Sequence, residues 1–229
     1  MTRRTEPPDG ATTGLGAAPG PELGAAVLEL VAVMDRLRSP GGCPWDAEQT
    51  HQSLARHLLE ETYEVLEALD SGDRDHLREE LGDLLLQVVF HARLAQEHPT
   101  EPWGVDEVAR GIIDKLVARH PHVFAAAEVR DAAHVEADWE RHKVAEKGRT
   151  SVLDGIPAAM PALARADKLL GRLDGAAVDS TLAGDDSYGV RLFALAAEAR
   201  AAGVDPEGAL RSAVTALAQR VDETQSTGQ

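Results

Sequence analysis

Two stripes of apolar residues at helical spacing, parted by a three-residue breaker, constrain this chain most. Leu58, Leu59, Val65, Leu66 and Leu69 fall at spacings of three and four, Ser71-Gly72-Asp73 interrupts, and Leu77, Leu81, Leu84, Leu85, Val88 and Ala92 then resume the period. Long helices joined by so short a break pack as antiparallel neighbours. The same period predicts a helix over 22–38, through Leu23, Val27, Leu30, Met34 and Leu37, ended by Ser39-Pro40-Gly41-Gly42. Asp46, with Gln49 three residues on, is placed to cap the long helix that follows. Pro99 and Pro102 close the hairpin, 105–117 reads as a further helix, and 132–147 as a polar helix carrying Trp139. The pattern weakens beyond Gly148, with one more helix pair over 188–202 and 206–221. No segment alternates at period two for long enough to make a sheet, so the fold class is all-α, an antiparallel helical bundle.

Composition narrows the function. Lys and Arg number 23 against 39 Asp and Glu, a formal charge of −16 that argues against a broad surface for a nucleic acid polymer. The single cysteine, Cys43, excludes an intramolecular disulfide framework and a Cys-rich zinc site. No apolar run approaches the roughly 20 residues of a membrane helix, so the sequence predicts a cytoplasmic protein with no membrane partner. Residues 1–21, rich in proline and glycine, read as a disordered tail.

The charge is unevenly spread. Between Glu60 and Asp83 there are 10 acidic and 2 basic residues, so 24 residues carry half of the chain's formal charge. Glu60 and Glu64, and Glu61 and Glu64, share a face of the first hairpin helix; Glu80 and Asp83 share a face of the second. A solvated acidic face is the plain reading of such residues. Few lysines lie nearby to form ordinary ion pairs, however, and an antiparallel hairpin lets both sets converge. A divalent cation would remove the repulsion there, and an all-oxygen ligand set suits Mg²⁺ or Mn²⁺ better than zinc or copper.

The motifs then have a collective resemblance. Cys43-Pro44-Trp45-Asp46 leading to Gln49-Thr50-His51, then Glu60-Glu61-x-x-Glu64, then Glu80-Leu81-Gly82-Asp83-Leu84-Leu85, then Lys115-Leu116-x-x-Arg119-His120-Pro121-His122-Val123-Phe124, resemble the MazG family of nucleoside triphosphate pyrophosphohydrolases over residues 22–147. The resemblance implies an all-α bundle working as a homodimer, splitting NTPs or dNTPs into the monophosphate and pyrophosphate in a house-cleaning role. It implies Glu61, Glu64, Glu80 and Asp83 as ligands of Mg²⁺ or Mn²⁺, and Glu60 as a further ligand or the base for the attacking water. Lys115 and Arg119, one turn apart, are suited to clamp phosphates. Trp139 and Lys143 match a family tryptophan and lysine near the nucleotide, simple core being the other reading of Trp139. Two alternatives stand beside this one: a narrow dNTPase of the dUTP or dCTP type, and a non-catalytic nucleotide-sensing or interaction protein.

The second half repeats the first imperfectly. Gly189 to Phe193 followed by Ala199-Arg200 aligns with Gly82 to Leu86 followed by Ala92-Arg93, which puts Ser187 at the position of Glu80 and Val190 at that of Asp83. The expected organisation is therefore a catalytic domain over 22–147, a linker and degenerate truncated second repeat over 148–222, and a disordered tail over 223–229.

Overall fold

The computed structural model describes residues 23–125, 151, 153–174 and 187–227. All regular structure among them is helical. The first six helices are α1 (Ala25–Arg38), α2 (Pro44–Glu48), α3 (His51–Ser71), α4 (Arg74–Ala95), α5 (Val105–Arg119) and α6 (Pro121–Phe124). Three more follow, α7 (Ala162–Leu173), α8 (Tyr188–Ala201) and α9 (Pro206–Thr227). The chain divides into two compact units, Met1–His142 and Lys143–Gln229.

In the first unit α3 and α4 form the expected hairpin. Gly72 ends α3 with φ of 71°, a left-handed conformation that glycine adopts without steric cost, and Asp73 opens α4 by accepting from the backbone N–H groups of Asp75 and His76. The entry to α3 differs from expectation. Asp46 lies inside the short helix α2, started by Pro44, while Thr50 caps α3: its Oγ1 accepts from the Ser53 N–H at 3.1 Å and the Ser53 hydroxyl accepts from the Thr50 N–H at 2.9 Å. A reciprocal cap satisfies two orphan donors at once, which is why the helix starts there.

Helix α4 is central, packing against α1, α3 and α5. Met34 of α1, Leu54 of α3, and Val89, Phe90 and Leu94 of α4 form the buried core, flanked by Leu30, Val31 and Leu86. Charged groups fasten the same end. Arg93 bonds Asp35 at 2.8 Å and Glu97 at 2.9 Å, and Arg38 reaches Glu97 with both Nε and an Nη, at 2.8 and 2.9 Å. Those hydrogen bonds from Arg38 hold the Glu97 carboxyl below its usual range.

The second unit holds α7, which sequence periodicity did not single out, with α8 and α9. Leu170 and Ala196 are buried in it, the Glu207 carboxylate accepts from the Ala164 N–H at the start of α7, and Arg200 of α8 bonds Asp167 and Asp174 at 3.0 Å each. Helix α9 runs on to Thr227, so residues 223–227 are helical where a tail was expected; no proline or glycine lies between Gly208, in its first turn, and Gly228.

A histidine pair pins the first turn of α3 to α4: the Nδ1 atoms of His51 and His91 lie 2.7 Å apart in rings stacked within 4°. One ring must donate and the other accept, so the pair excludes double protonation. Burial, then the charge of His51, holds the His91 imidazole below its usual range. As pH falls below the unfolded value of roughly 6.5, the unfolded chain therefore takes up the proton first, and the pair's stability, complete above that pH, is lost. Urea denaturation at pH 7.5 and pH 5 is expected to show the native chain losing more stability than His91→Gln, by up to about 1 kcal/mol; equal losses would contradict this reading of the pair.

Candidate metal and active site

The acidic stretch becomes a site through helix geometry. Residues three apart on α3 bring Glu61 and Glu64 to one face, and the antiparallel turn at Gly72 sets α4 alongside so that Glu80 meets them. One carboxylate oxygen from each of the three can be chosen so that all lie within 4.8 Å of one another. Glu80 is buried at 8% exposure, Glu61 is half-buried and Glu64 exposed. The cluster thus has a fixed floor and an open mouth.

Its electrostatics are those of crowded like charges. The Glu61 carboxyl is pushed above its usual range, first by burial, then by a shared hydrogen bond and charge repulsion with Glu64, then by the charges of Asp83 and Glu80. A group whose pKa is raised by folding stabilises the fold at low pH, and that contribution is lost as pH rises through the folded value. At neutral pH the cluster is therefore a local liability without a cation. Three convergent carboxylates, all-oxygen and partly open to solvent, fit a hard divalent ion that keeps some of its water.

The other expected residues divide. Asp83 is half-buried and near enough for its charge to act on Glu61, although it is not one of the three convergent groups. Glu60 is not among them either. Its side chain is 61% exposed and its Oε2 lies 3.0 Å from His57 Nδ1. Helix neighbours differ by about 100° in direction, which separates Glu60 from Glu61. Lys115 is exposed on α5, whereas Arg119, one turn on, is buried at 7% exposure. Trp139 and Lys143, with the helix expected over 132–147, lie outside the described residues.

The sequence reading missed the histidines. His76 Nε2 lies 3.0 Å from Glu80 Oε1, one turn back on α4, as His57 stands to Glu60 on α3. The signal was the His-x-x-x-Glu and His-x-x-Glu spacing, which places each imidazole before its carboxylate, the reverse of the Glu-x-x-His order of di-iron bundles.

A helical hairpin presenting convergent carboxylates defines a class of all-α protein with an oxygen-ligand site. Comparison with known proteins gives the family. The MazG nucleotide pyrophosphohydrolase domain matches residues 49–124, which contain the whole hairpin. The chain is 51% identical over 193 residues to an uncharacterized protein of Streptomyces cacaoi, covering 83% of this chain and 78% of that one. It is 42% identical over 213 residues to the nucleoside triphosphate pyrophosphohydrolase of Mycolicibacterium smegmatis, covering 92% of this chain and 62% of that protein's length. It is 36% identical over 225 residues to the nucleoside triphosphate pyrophosphohydrolase/pyrophosphatase MazG of Thermotoga maritima, covering 87% and 85%. The chain belongs to the MazG family.

Replacing one member of the cluster relieves the repulsion. In EDTA at pH 7.5, Glu64→Gln is expected to be more stable to urea than the native chain, by about 0.2–0.5 kcal/mol, the size of one like-charge pair a turn apart. A less stable variant would contradict the electrostatic reading.

Proposed function

We propose that this chain is a divalent-metal-dependent nucleoside triphosphate pyrophosphohydrolase, converting an NTP or dNTP and water into the monophosphate and pyrophosphate. The observation that carries the reading is the convergence of Glu61, Glu64 and Glu80 within 4.8 Å, inside the segment that matches the family's domain. The cation it calls for is Mg²⁺, with Mn²⁺ as a substitute, because the donors are all carboxylates. Glu61, Glu64 and Glu80, with Asp83 beside them, would hold that ion, which would supply neutralisation of the polyphosphate charge and acidification of a water.

The protein's own groups do the positioning. Attack of water on the α-phosphorus needs the nucleophile in line with the departing pyrophosphate, so rigid placement of the ligating carboxylates on two packed helices is the main contribution. Of the two roles open to Glu60, base and ligand, its place outside the convergent cluster and its contact with His57 Nδ1 support that of base, taking the proton of the attacking water at a carboxylate oxygen. Lys115, exposed on α5, and Arg119, one turn on and buried, are the phosphate contacts, Lys115 as a point charge on a flexible stem and Arg119 as a bidentate donor. Trp139 and Lys143 remain assigned to the nucleotide on the strength of the resemblance.

The setting follows from the same reading. A homodimer is supported by the large apolar side chains left exposed on α4 and α5, among them Leu81, Leu85, Ile112, Ile113 and Leu116. Among the described residues no helix is long and apolar enough to cross a membrane, consistent with work on the cytoplasmic nucleotide pool in a house-cleaning role. Residues 148–222 are a degenerate second repeat: Arg200 of α8, the counterpart of Arg93, bonds Asp167 of α7 as Arg93 bonds Asp35 of α1. Ser187, at the position of Glu80, caps α8 instead of ligating.

Incubation with a panel of NTPs and dNTPs is expected to release pyrophosphate and monophosphate with Mg²⁺ and none with EDTA. Glu61→Gln and Glu80→Gln should each lower the rate at least about 100-fold while helical circular dichroism is kept. Orthophosphate as the first product, or turnover that survives EDTA, would overturn the proposal.

A further inference from the structure

We propose that His76 is a positioning residue for the cation site: it locks the carboxylate of Glu80 in the orientation that a divalent ion requires. The inference rests on the cation-site reading above and extends it to a residue outside the acidic motifs. Glu80 is the one buried carboxylate of the three, and its side chain, 11% exposed, has little water to orient it. His76 Nε2 lies 3.0 Å from its Oε1, within ion-pair distance. That contact holds one carboxylate oxygen toward the imidazole and leaves the second oxygen for a ligand. His76 is in turn fixed from below: its backbone N–H donates to Asp73 Oδ1 at 3.2 Å, so the cap of α4 sets the first turn and the first turn sets the imidazole. The resulting chain runs Asp73, His76, Glu80, from the hairpin turn to the floor of the cluster. Ligands held by a second group in this manner bind metals more tightly because the geometry exists before the ion arrives.

The molecule carries its own control. His57 meets Glu60 on α3 at the same 3.0 Å, yet Glu60 is 61% exposed and outside the convergent cluster. Both are imidazole–carboxylate contacts, and they differ in whether the carboxylate belongs to the convergent cluster. If His76 acted only through general electrostatics near an acidic patch, removing His57 would matter as much.

The test is Mn²⁺ binding to the full chain, read from the electron paramagnetic resonance signal of free Mn²⁺, for the native protein, His76→Ala, His76→Gln, His57→Ala and Glu80→Gln. His76→Ala is expected to raise the Mn²⁺ dissociation constant about 10-fold or more, the usual consequence of losing such a partner, with His57→Ala unchanged. His76→Gln is expected to recover most of the affinity, because its side-chain amide can donate to the same oxygen. In steady-state assays His76→Ala should shift the metal concentration for half-maximal rate upward by the same factor and leave kcat at saturating metal close to native. Native affinity in His76→Ala, an equal loss in His57→Ala, or a loss in His76→Gln as large as in His76→Ala would each overturn the proposal. Native affinity in Glu80→Gln would instead overturn the cation-site reading on which it rests, so the two failures are told apart.

Discussion

The hairpin of α3 and α4 is the constraint on which the rest depends. Its turn, Gly72 in a left-handed conformation followed by the capping Asp73, fixes the register of two long helices, and the register decides which side chains meet. Toward the free ends of the helices the meeting residues are apolar: Leu54 lies in one core with Val89, Phe90 and Leu94, closed by Met34 of α1. Toward the turn they are Glu61, Glu64 and Glu80. Leu54 and Glu64 are ten residues apart on α3, about 15 Å along the helix, so one rigid element carries both its anchorage and its repulsion. The apolar end and the Arg93–Asp35 and Arg38–Glu97 pairs hold the acidic end together. This is the arrangement expected of a site whose groups are placed for a ligand rather than for stability.

Much of this was legible from the sequence. The hairpin follows from spacing and from a breaker only three residues long, and three of the five carboxylates whose spacing put them on facing sides, Glu61, Glu64 and Glu80, come within 4.8 Å of one another, Glu60 and Asp83 not among them. What escaped depends on local competition or on tertiary context. Asp46 and Thr50 both suit a helix N-terminus, and only the reciprocal bond with Ser53 decides between them. Arg119 reads as a cation one turn on from Lys115, and periodicity does not report that it is buried. Glu60 and Glu61 are adjacent in sequence and sit in different surroundings, one against His57 and one in the cluster. Helix α7 went unread because the segment before it is broken by prolines, although Leu163, Ala166, Leu169, Leu170 and Leu173 carry the helical period.

If the second unit is the degenerate repeat proposed above, it keeps a packed core without the acidic site. Leu170 and Ala196 are its buried apolar residues, and an arginine of one helix still bonds an aspartate of the helix before it. Where α4 continues through Glu80, α8 begins: Ser187 accepts from the Val190 N–H and closes the helix at the position a ligand would occupy. The chain spans 62% of the length of the mycobacterial pyrophosphohydrolase and 85% of that of the Thermotoga protein, so members of the family differ in how much they carry beyond the hairpin.

The central claim is that Glu61, Glu64 and Glu80 form one divalent-cation site. Its most direct test is anomalous diffraction from crystals of the full chain grown with Mn²⁺. The account predicts a single strong peak between α3 and α4, with carboxylate oxygens of all three residues at about 2.0–2.3 Å, the range for small hard cations and oxygen ligands. Absence of a peak there at saturating Mn²⁺, or a peak bound by other carboxylates while these three point apart, would contradict it.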